Sequence, residues 1–236
     1  ILKGQTKGPL PEAYTMVGAG YLPTLFLPFG EGKIDLISIF AGVLASICVV
    51  VMEMRSLSSK KKNGLETPPL WQTVLRLAIY IFLLNFITTR LALYSGLPMV
   101  LLIMLLLILG YGFVTSRTVV GRQVYAVGGN KKAAALSGIK TDKVMFWVYT
   151  NMSVLAALAG IVLSARNASA TPKAGDGFEL DAIASCYLGG ASAYGGTGTI
   201  LGAIVGALIM GILNNGMSLM GVSVDMQRVF KGLVLL

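Results

Sequence analysis

Few residues in this chain can do acid–base or metal chemistry. There is no histidine, so imidazole ligands and histidine general bases are both absent. Asp181, at the start of the apolar stretch 180–188, is the main intramembrane acid. An acid at that depth is costly and commonly functional. Equally, it can be a helix N-terminal acid near the outer interface, held by backbone donors. No GxxxxGK[ST] loop occurs, and the glycines at 198, 202 and 206 lack the strand, turn and downstream acid of a dinucleotide fingerprint. No nucleotide is expected on this chain. Cys48 and Cys186 sit in apolar settings and read as buried small hydrophobes rather than as a disulfide.

The chemistry that remains is charge and shape. Residues 121–139, GRQVYAVGGNKKAAALSGI, form a polar, basic window between apolar runs at 98–114 and 144–163. Gly121-Arg122 reads as a turn and Gly128-Gly129-Asn130 as a second. Lys131 to Leu136 is an alanine-rich helix, capped by Asn130 and stopped by Gly138. Two turns of helix are too few to be stable alone in water, so this one must lie on something. One reading is a solvated loop made basic by topology alone. The sharper one is a docking element for a cytoplasmic partner.

The elements that must position this window are apolar. The chain has 236 residues, 55% hydrophobic and 12% charged, with mean hydropathy +0.77. A soluble domain carries about 25% charged residues, so this is a membrane protein composition. The net charge of +9 comes from 19 basic and 10 acidic residues. It follows the positive-inside rule and does not call for a nucleic-acid partner. Beginning at Ile1 and ending inside an apolar run, the chain reads as a fragment of a longer membrane protein.

In chain order, residues 1–30 read as loop, with a short helix near 12–17 and a proline-broken apolar piece at 22–29 suited to the interface. Spans are expected at 34–54, 70–87, 98–114, 144–163, 198–213 and 225–236, the last cut off. Arg55, Lys60, Lys61 and Lys62 follow the first span. Arg117, Arg122, Lys131, Lys132, Lys140 and Lys143, against Asp142 alone, crowd a cytoplasmic loop at 115–143. The two clusters agree on one side. Trp71 suits an interface belt. Arg76 can snorkel or pair, and Asn85 can line a cavity or bond to another helix. Thr88 to Gly96 reads as a short outer loop holding Arg90. Residues 178–190 are too short to cross about 30 Å of hydrocarbon. They form a short, broken or re-entrant helix, tolerated only against protein or a water-filled cavity. That makes 176–197 the best pathway candidate; the rival reading is a loop dipping into the interface. Gly198, Gly202 and Gly206 recur every four residues, with Ala203, Ala207 and Gly211 on an adjacent stripe, and predict tight helix crossing. Asn214-Asn215-Gly216 is expected to end that helix.

Four motifs in one order then carry a resemblance. Gly121-Arg122, Tyr125-Ala126-Val127-Gly128-Gly129-Asn130 and Leu136-Ser137-Gly138-Ile139 form the first. Glu179-Leu180-Asp181-Ala182-Ile183-Ala184, continuing to Leu188-Gly189-Gly190, is the second. Gly195-Gly196-Thr197-Gly198-Thr199-Ile200-Leu201-Gly202-Ala203, running on to Gly211, is the third. Asn214-Asn215-Gly216-Met217-Ser218, with Gln227 and Lys231-Gly232 beyond, is the fourth. Together they resemble the permeases of the ribose, galactose and xylose class of sugar ABC importers, and most closely the xylose permeases of that class. The resemblance implies an all-alpha polytopic bundle of the vitamin B12 importer type, of which this chain would be a C-terminal fragment. It implies two permease subunits as a homodimer over two ABC ATPase subunits that hold ATP and Mg, with none bound here. It also implies an extracytoplasmic sugar-binding protein, and a bacterial cytoplasmic membrane.

On that reading, Gly121, Arg122, Tyr125, Gly128, Gly129, Asn130, Lys131, Ala134, Leu136 and Gly138 would couple to the ATPase. Tyr125, Ala134 and Leu136 would fit its groove. Asp181, Ser185, Tyr187, Ser192, Tyr194 and Asn214 would lend weak hydrogen bonds to a passing pentose, D-xylose. Gly198, Gly202, Gly206 and Gly211 would pack helices. The competing class is an ion-coupled secondary transporter, for which short interrupted helices are also a mark. A membrane enzyme fits poorly, given the few buried acids and the absence of histidine.

Overall fold

The structure is a computed structural model that describes residues 5–22, 26–29, 32–62, 69–94 and 96–234. Expectations resting on Pro23, Pro68, the side chains of Cys48 and Lys60 to Lys62, and residues 235–236 lie outside it. The chain divides into two compact units, Ala19–Leu102 and Ile1–Gly18 with Ile103–Leu236.

In the first of these, β1 (Phe26–Phe29) and β2 (Gly32–Asp35) form an antiparallel hairpin, pairing Phe26 with Asp35 and Phe29 with Gly32. This hairpin is the one exception to an otherwise α-helical set of described elements, and the expectation of loop did not contain it. Asp35 starts helix α2 (Leu36–Lys62). Its buried carboxylate accepts from the amides of Ile37 at 3.2 Å and Ser38 at 3.1 Å, and from the Ser38 hydroxyl at 2.5 Å. Helix α3 (Leu70–Tyr94) runs back antiparallel to α2. Gly42 meets Thr88, where a Cβ would lie 2.9 Å from the threonine Cβ. The Asn85 amide donates to the Ser46 hydroxyl at 2.9 Å, so Asn85 makes a helix–helix bond. Arg76 pairs with Glu53. Thr88 to Gly96 is not an outer loop. No glycine or proline interrupts the helix before Gly96, and the Thr88 and Thr89 hydroxyls bond back to the carbonyls of Leu84 and Phe86. Arg90 therefore stays helical, 5.1 Å over the Phe86 ring.

The other unit holds most of α1 (Glu12–Ala19) and of α4 (Met99–Arg117). It continues with α5 (Val119–Gly129), α6 (Lys131–Leu136), α7 (Thr141–Arg166), α8 (Phe178–Leu188), α9 (Ile200–Leu219) and α10 (Val224–Val234). Residues 5–18 clamp the end of α7. Lys7 bridges to Ala170, the Tyr14 hydroxyl meets the Ser164 hydroxyl at 2.6 Å, and a Cβ on Gly18 would lie 2.8 Å from the Ala165 Cβ. Among the described residues, five helices are long and apolar enough to cross a membrane: α2, α3, α4, α7 and α9. Helix α8, at eleven residues, is about 16 Å long and falls short.

Among the described residues the buried apolar side chains are mostly small: Ala92, Ala134, Ala165 and Ala184, with Val127 and Met210, while many leucines, valines and phenylalanines face outward, as lipid allows. Helix α9 corrects one boundary: it runs through Asn214-Asn215-Gly216 to Leu219. The Ser218 hydroxyl bonds back to the Asn214 carbonyl, and the turn comes instead at Gly221, whose φ of 71° suits glycine. Cys186 is exposed, not buried.

Candidate functional site

The basic window at 115–143 is not a loop but two helices cornered against each other. Helix α4 ends at Arg117 and Thr118 turns the chain. Its hydroxyl donates to the Val114 carbonyl at 2.7 Å and accepts from the Gly121 amide at 3.3 Å, capping α5. Gly121 is buried in this corner, where a Cβ would lie 2.6 Å from the Thr115 Cα. Gly121-Arg122 is thus not a turn. The glycine lets the chain corner sharply between α4 and α5 beside the Thr115 backbone, and Arg122 is exposed on the first turns of α5.

At the other end of α5 the backbone meets another backbone. A Cβ on Gly128 would lie 2.8 Å from the Gly196 nitrogen, and one on Gly196 would lie 2.6 Å from the Gly129 Cα. Gly195 and Gly196 have φ of 87° and 75°, left-handed values that a side chain rarely adopts. The Tyr125 hydroxyl donates to the Gly198 carbonyl at 2.8 Å. Glycine on both sides therefore seats α5 on the turn joining α8 to α9.

Asn130 breaks the chain between α5 and α6 in extended conformation, and its side chain accepts from the Ala133 amide at 3.0 Å. Gly138 closes α6 with φ of 83°. Lys131 reaches Asp142 at 3.4 Å, an exposed pair worth little. Of the three residues expected to enter a partner's groove, only Leu136 is free to do so, at 90% exposure. Ala134 is 4% exposed, buried within its own chain, and Tyr125 is spent on Gly198. Arg122, Lys131, Lys132 and Leu136 form the outward surface.

Along α8, Asp181 sits in the first turn, as a helix N-terminal acid does. Its carboxylate faces Lys231 of α10, whose ammonium donates to Oδ2 at 2.9 Å. Oδ1 lies 2.8 Å from the same ammonium. Both side chains are mostly buried, at 19% and 14% exposure. Lys231 was missed as a site residue. The signal was an acid opening the apolar run of α8 and a base beside Val229, Phe230, Leu233 and Val234 on α10, since a buried charge is not tolerated unpaired. Arg228 of α10 also reaches Asp176, at 3.5 Å and exposed.

Ser185 is buried against α9, and its hydroxyl donates to the Asp181 carbonyl at 2.5 Å. Tyr187 and Tyr194 are exposed, and the Ser192 hydroxyl accepts from the Tyr194 amide at 3.1 Å. Asn214 has a buried Oδ1 without a partner among the described residues.

The glycine stripe divides too. Gly206 is buried against α8, where a Cβ would lie 2.9 Å from the Gly189 nitrogen. One on Gly202 would lie 3.2 Å from the Gly189 carbon. Gly198 lies before the helix with φ of 140° and touches Ala191, and Gly211 meets nothing within 4 Å. These two are not in the helix contact because one precedes α9 and the other faces away from α8.

Among the described residues no group of three His, Cys, Asp or Glu side chains could hold a metal. The arrangement is mechanical. A basic, helical face joins backbone-to-backbone to the α8–α9 turn, α8 packs tightly on α9, and a buried ion pair ties α8 to α10.

The profile of the family described as branched-chain amino acid transport system / permease component matches residues 36–236. The xylose transport system permease protein XylH of Escherichia coli strain K12 is 37% identical over 236 residues, all of this chain and 57% of that protein. XylH of Haemophilus influenzae is 37% identical over 237 residues, 100% of this chain and 60% of that protein. The ribose import permease protein RbsC of Bacillus subtilis is 46% identical over 143 residues, 61% of this chain and 44% of that protein. The chain thus spans less than two thirds of the relatives' length. No solved structure matches it.

Proposed function

The chain belongs to the branched-chain amino acid transport system permease family, and from that premise we propose that it is the membrane subunit of an ATP-driven sugar importer, with D-xylose as the sugar. The family is one of transport permeases, not enzymes, and the long apolar helices are those of a multi-pass inner-membrane permease. The observation that carries the proposal is the seating of Tyr125 and Gly128 of α5 on the Gly195–Gly198 turn. A partner pressing on the outward residues Arg122, Lys131, Lys132 and Leu136 moves α5. Backbone contact without intervening side chains passes that movement to the α8–α9 hairpin with little slack.

In this account ATP and Mg sit on a separate ABC ATPase, an extracytoplasmic binding protein delivers the sugar, and a second permease subunit completes a bundle of the vitamin B12 importer type. Xylose is favoured over ribose because similarity to the XylH proteins runs through the whole chain, whereas that to RbsC covers about three fifths of it. Specificity would belong mainly to the binding protein, since weak contacts suit a pathway and tight binding would trap the sugar. The short α8 is also the mark of an ion-coupled secondary transporter.

Uptake by vesicles holding the intact permease, its ATPase and its binding protein separates the two. Labelled xylose should enter only with ATP on the ATPase side, and excess ribose should compete poorly. Preferential entry of another sugar overturns the substrate. Entry on an ion gradient without the ATPase overturns the importer.

A further inference from the structure

A cleft of about 820 Å³ opens between α4 and α7, with α5 across one end. Its two ends differ in chemistry. Lys140 and Lys143 stand at the end where α7 begins, and Val114, Val124 and Val148 line the body with the ring of Trp147. At the far end the Tyr111 hydroxyl donates to Asn151 at 2.6 Å, joining α4 to α7. Among the described residues neither Lys140 nor Lys143 is in an ion pair; the neighbouring acid, Asp142, is taken by Lys131.

The dimensions match one leaflet. From Lys140 to Asn151 is eleven residues of α7, or about 16 Å. Half of a hydrocarbon core of about 30 Å is about 15 Å. A molecule with an anionic head and a chain of that length fits: phosphate at the two lysines, acyl chain along the valines and the Trp147 ring. The basic end is the cytoplasmic one by the charge rule, which is where a leaflet's anionic headgroups attract lysines.

We propose that this cleft is a binding site for one anionic phospholipid of the cytoplasmic leaflet, set behind the docking helix α5. The inference rests on the orientation of the chain and not on which solute is carried. A lipid there fills the space that α4, α5 and α7 leave between them. It would make the stiffness of the α4–α5 corner depend on the surrounding membrane.

The test uses the intact permease in nanodiscs of mixed phosphatidylglycerol and phosphatidylethanolamine, with a photo-crosslinking amino acid in place of Val148. Adducts are identified by mass spectrometry. The expected adduct is phosphatidylglycerol, enriched over its share of the bilayer. Lys140→Gln with Lys143→Gln should lower the ratio of phosphatidylglycerol to phosphatidylethanolamine adducts roughly ten- to thirtyfold, the scale of two membrane-surface lysines. Lys132→Gln, outside the cleft, should leave it unchanged. Gel-filtration profile and yield check that each variant is folded. Lys140→Arg with Lys143→Arg keeps the charge and should keep the enrichment, so a failure of the glutamine pair to fold does not decide the outcome. An adduct to a polypeptide segment overturns the proposal, since protein then fills the cleft. Lipid adducts without headgroup preference, or a preference lost equally in Lys132→Gln, overturn it too.

Discussion

Replacing Gly206 by alanine puts a methyl group where the backbone of α8 already lies. The new Cβ would sit 2.9 Å from the Gly189 nitrogen, and the Ser185 carbonyl oxygen is nearer still. Carbon atoms in contact rest at about 3.5–4.0 Å, so the nitrogen alone demands a shift of roughly 0.6 Å, and the carbonyl more than about 1 Å. Neither obstacle is the flexible end of a side chain, so α8 and α9 must part. The Gly189–Gly202 approach on the same seam opens with them. Overpacking costs about 1–3 kcal/mol and occasionally more, while alanine's helix propensity returns at most about 1 kcal/mol. A net loss of about 2 kcal/mol lowers the midpoint by about 4–8 °C in a chain of this size. Gly211→Ala is the control, because nothing lies within 4 Å of its Cβ position. It should leave the midpoint unchanged or raise it slightly. Thermal unfolding of both variants in detergent, followed by loss of the monodisperse gel-filtration peak, reads the difference. Equal midpoints for the two variants would refute the packing of α8 on α9.

The buried pair predicts a different pattern. Asp181→Asn or Lys231→Met alone leaves its partner charged and buried, at about 3–5 kcal/mol in the same thermal assay. The double variant Asp181→Leu with Lys231→Met should recover most of that, and a double variant as unstable as either single contradicts the pair. Tyr125→Phe removes the donor to the Gly198 carbonyl, a loss of about 0.5–1.5 kcal/mol. Sugar-stimulated ATP hydrolysis should fall while the ATPase still copurifies; unchanged stimulation contradicts the α5 contact. Asn130→Ala removes the cap of α6, worth about 1 kcal/mol. Amide exchange across 131–136 should quicken by about fivefold, and unaltered exchange would mean that packing alone holds this helix.

Much of the helical content was legible because apolar length and charge placement are local properties. The Asn130 cap and the Gly138 stop could be read directly, since capping acts within three or four residues. The corner at Gly121 could not. Gly-Arg carries the same turn signal in a loop as in a helix pressed against a neighbour, and only the Thr115 backbone beside Gly121 separates the two. The end of α9 is not legible for a related reason: Asn-Asn-Gly is a turn sequence in water, but in this helix Ser218 bonds back to Asn214 and the chain continues to Leu219. The hairpin at 26–35 escaped notice because Pro28 argues against a strand, yet edge pairing with Lys33 accommodates it. At the candidate site the glycines were recognised but not what they meet, because Gly128 and Gly196 are far apart in the chain. The Asp181–Lys231 pair spans fifty residues and could be read only by asking where each buried charge finds its opposite.

The central claim is that the outward face of α5 and α6 receives an ATPase, and Leu136, the most exposed residue named on that face, tests it most directly. A Leu136→Cys variant of the intact permease, copurified with the ATPase subunit carrying single cysteines around its permease-facing groove, should form one dominant crosslink on mild oxidation. Impermeant thiol reagents added outside sealed cells should leave the introduced cysteine unmodified. Labelling of that cysteine from the outer face, or association of the ATPase unchanged after deletion of 131–136, would contradict the claim.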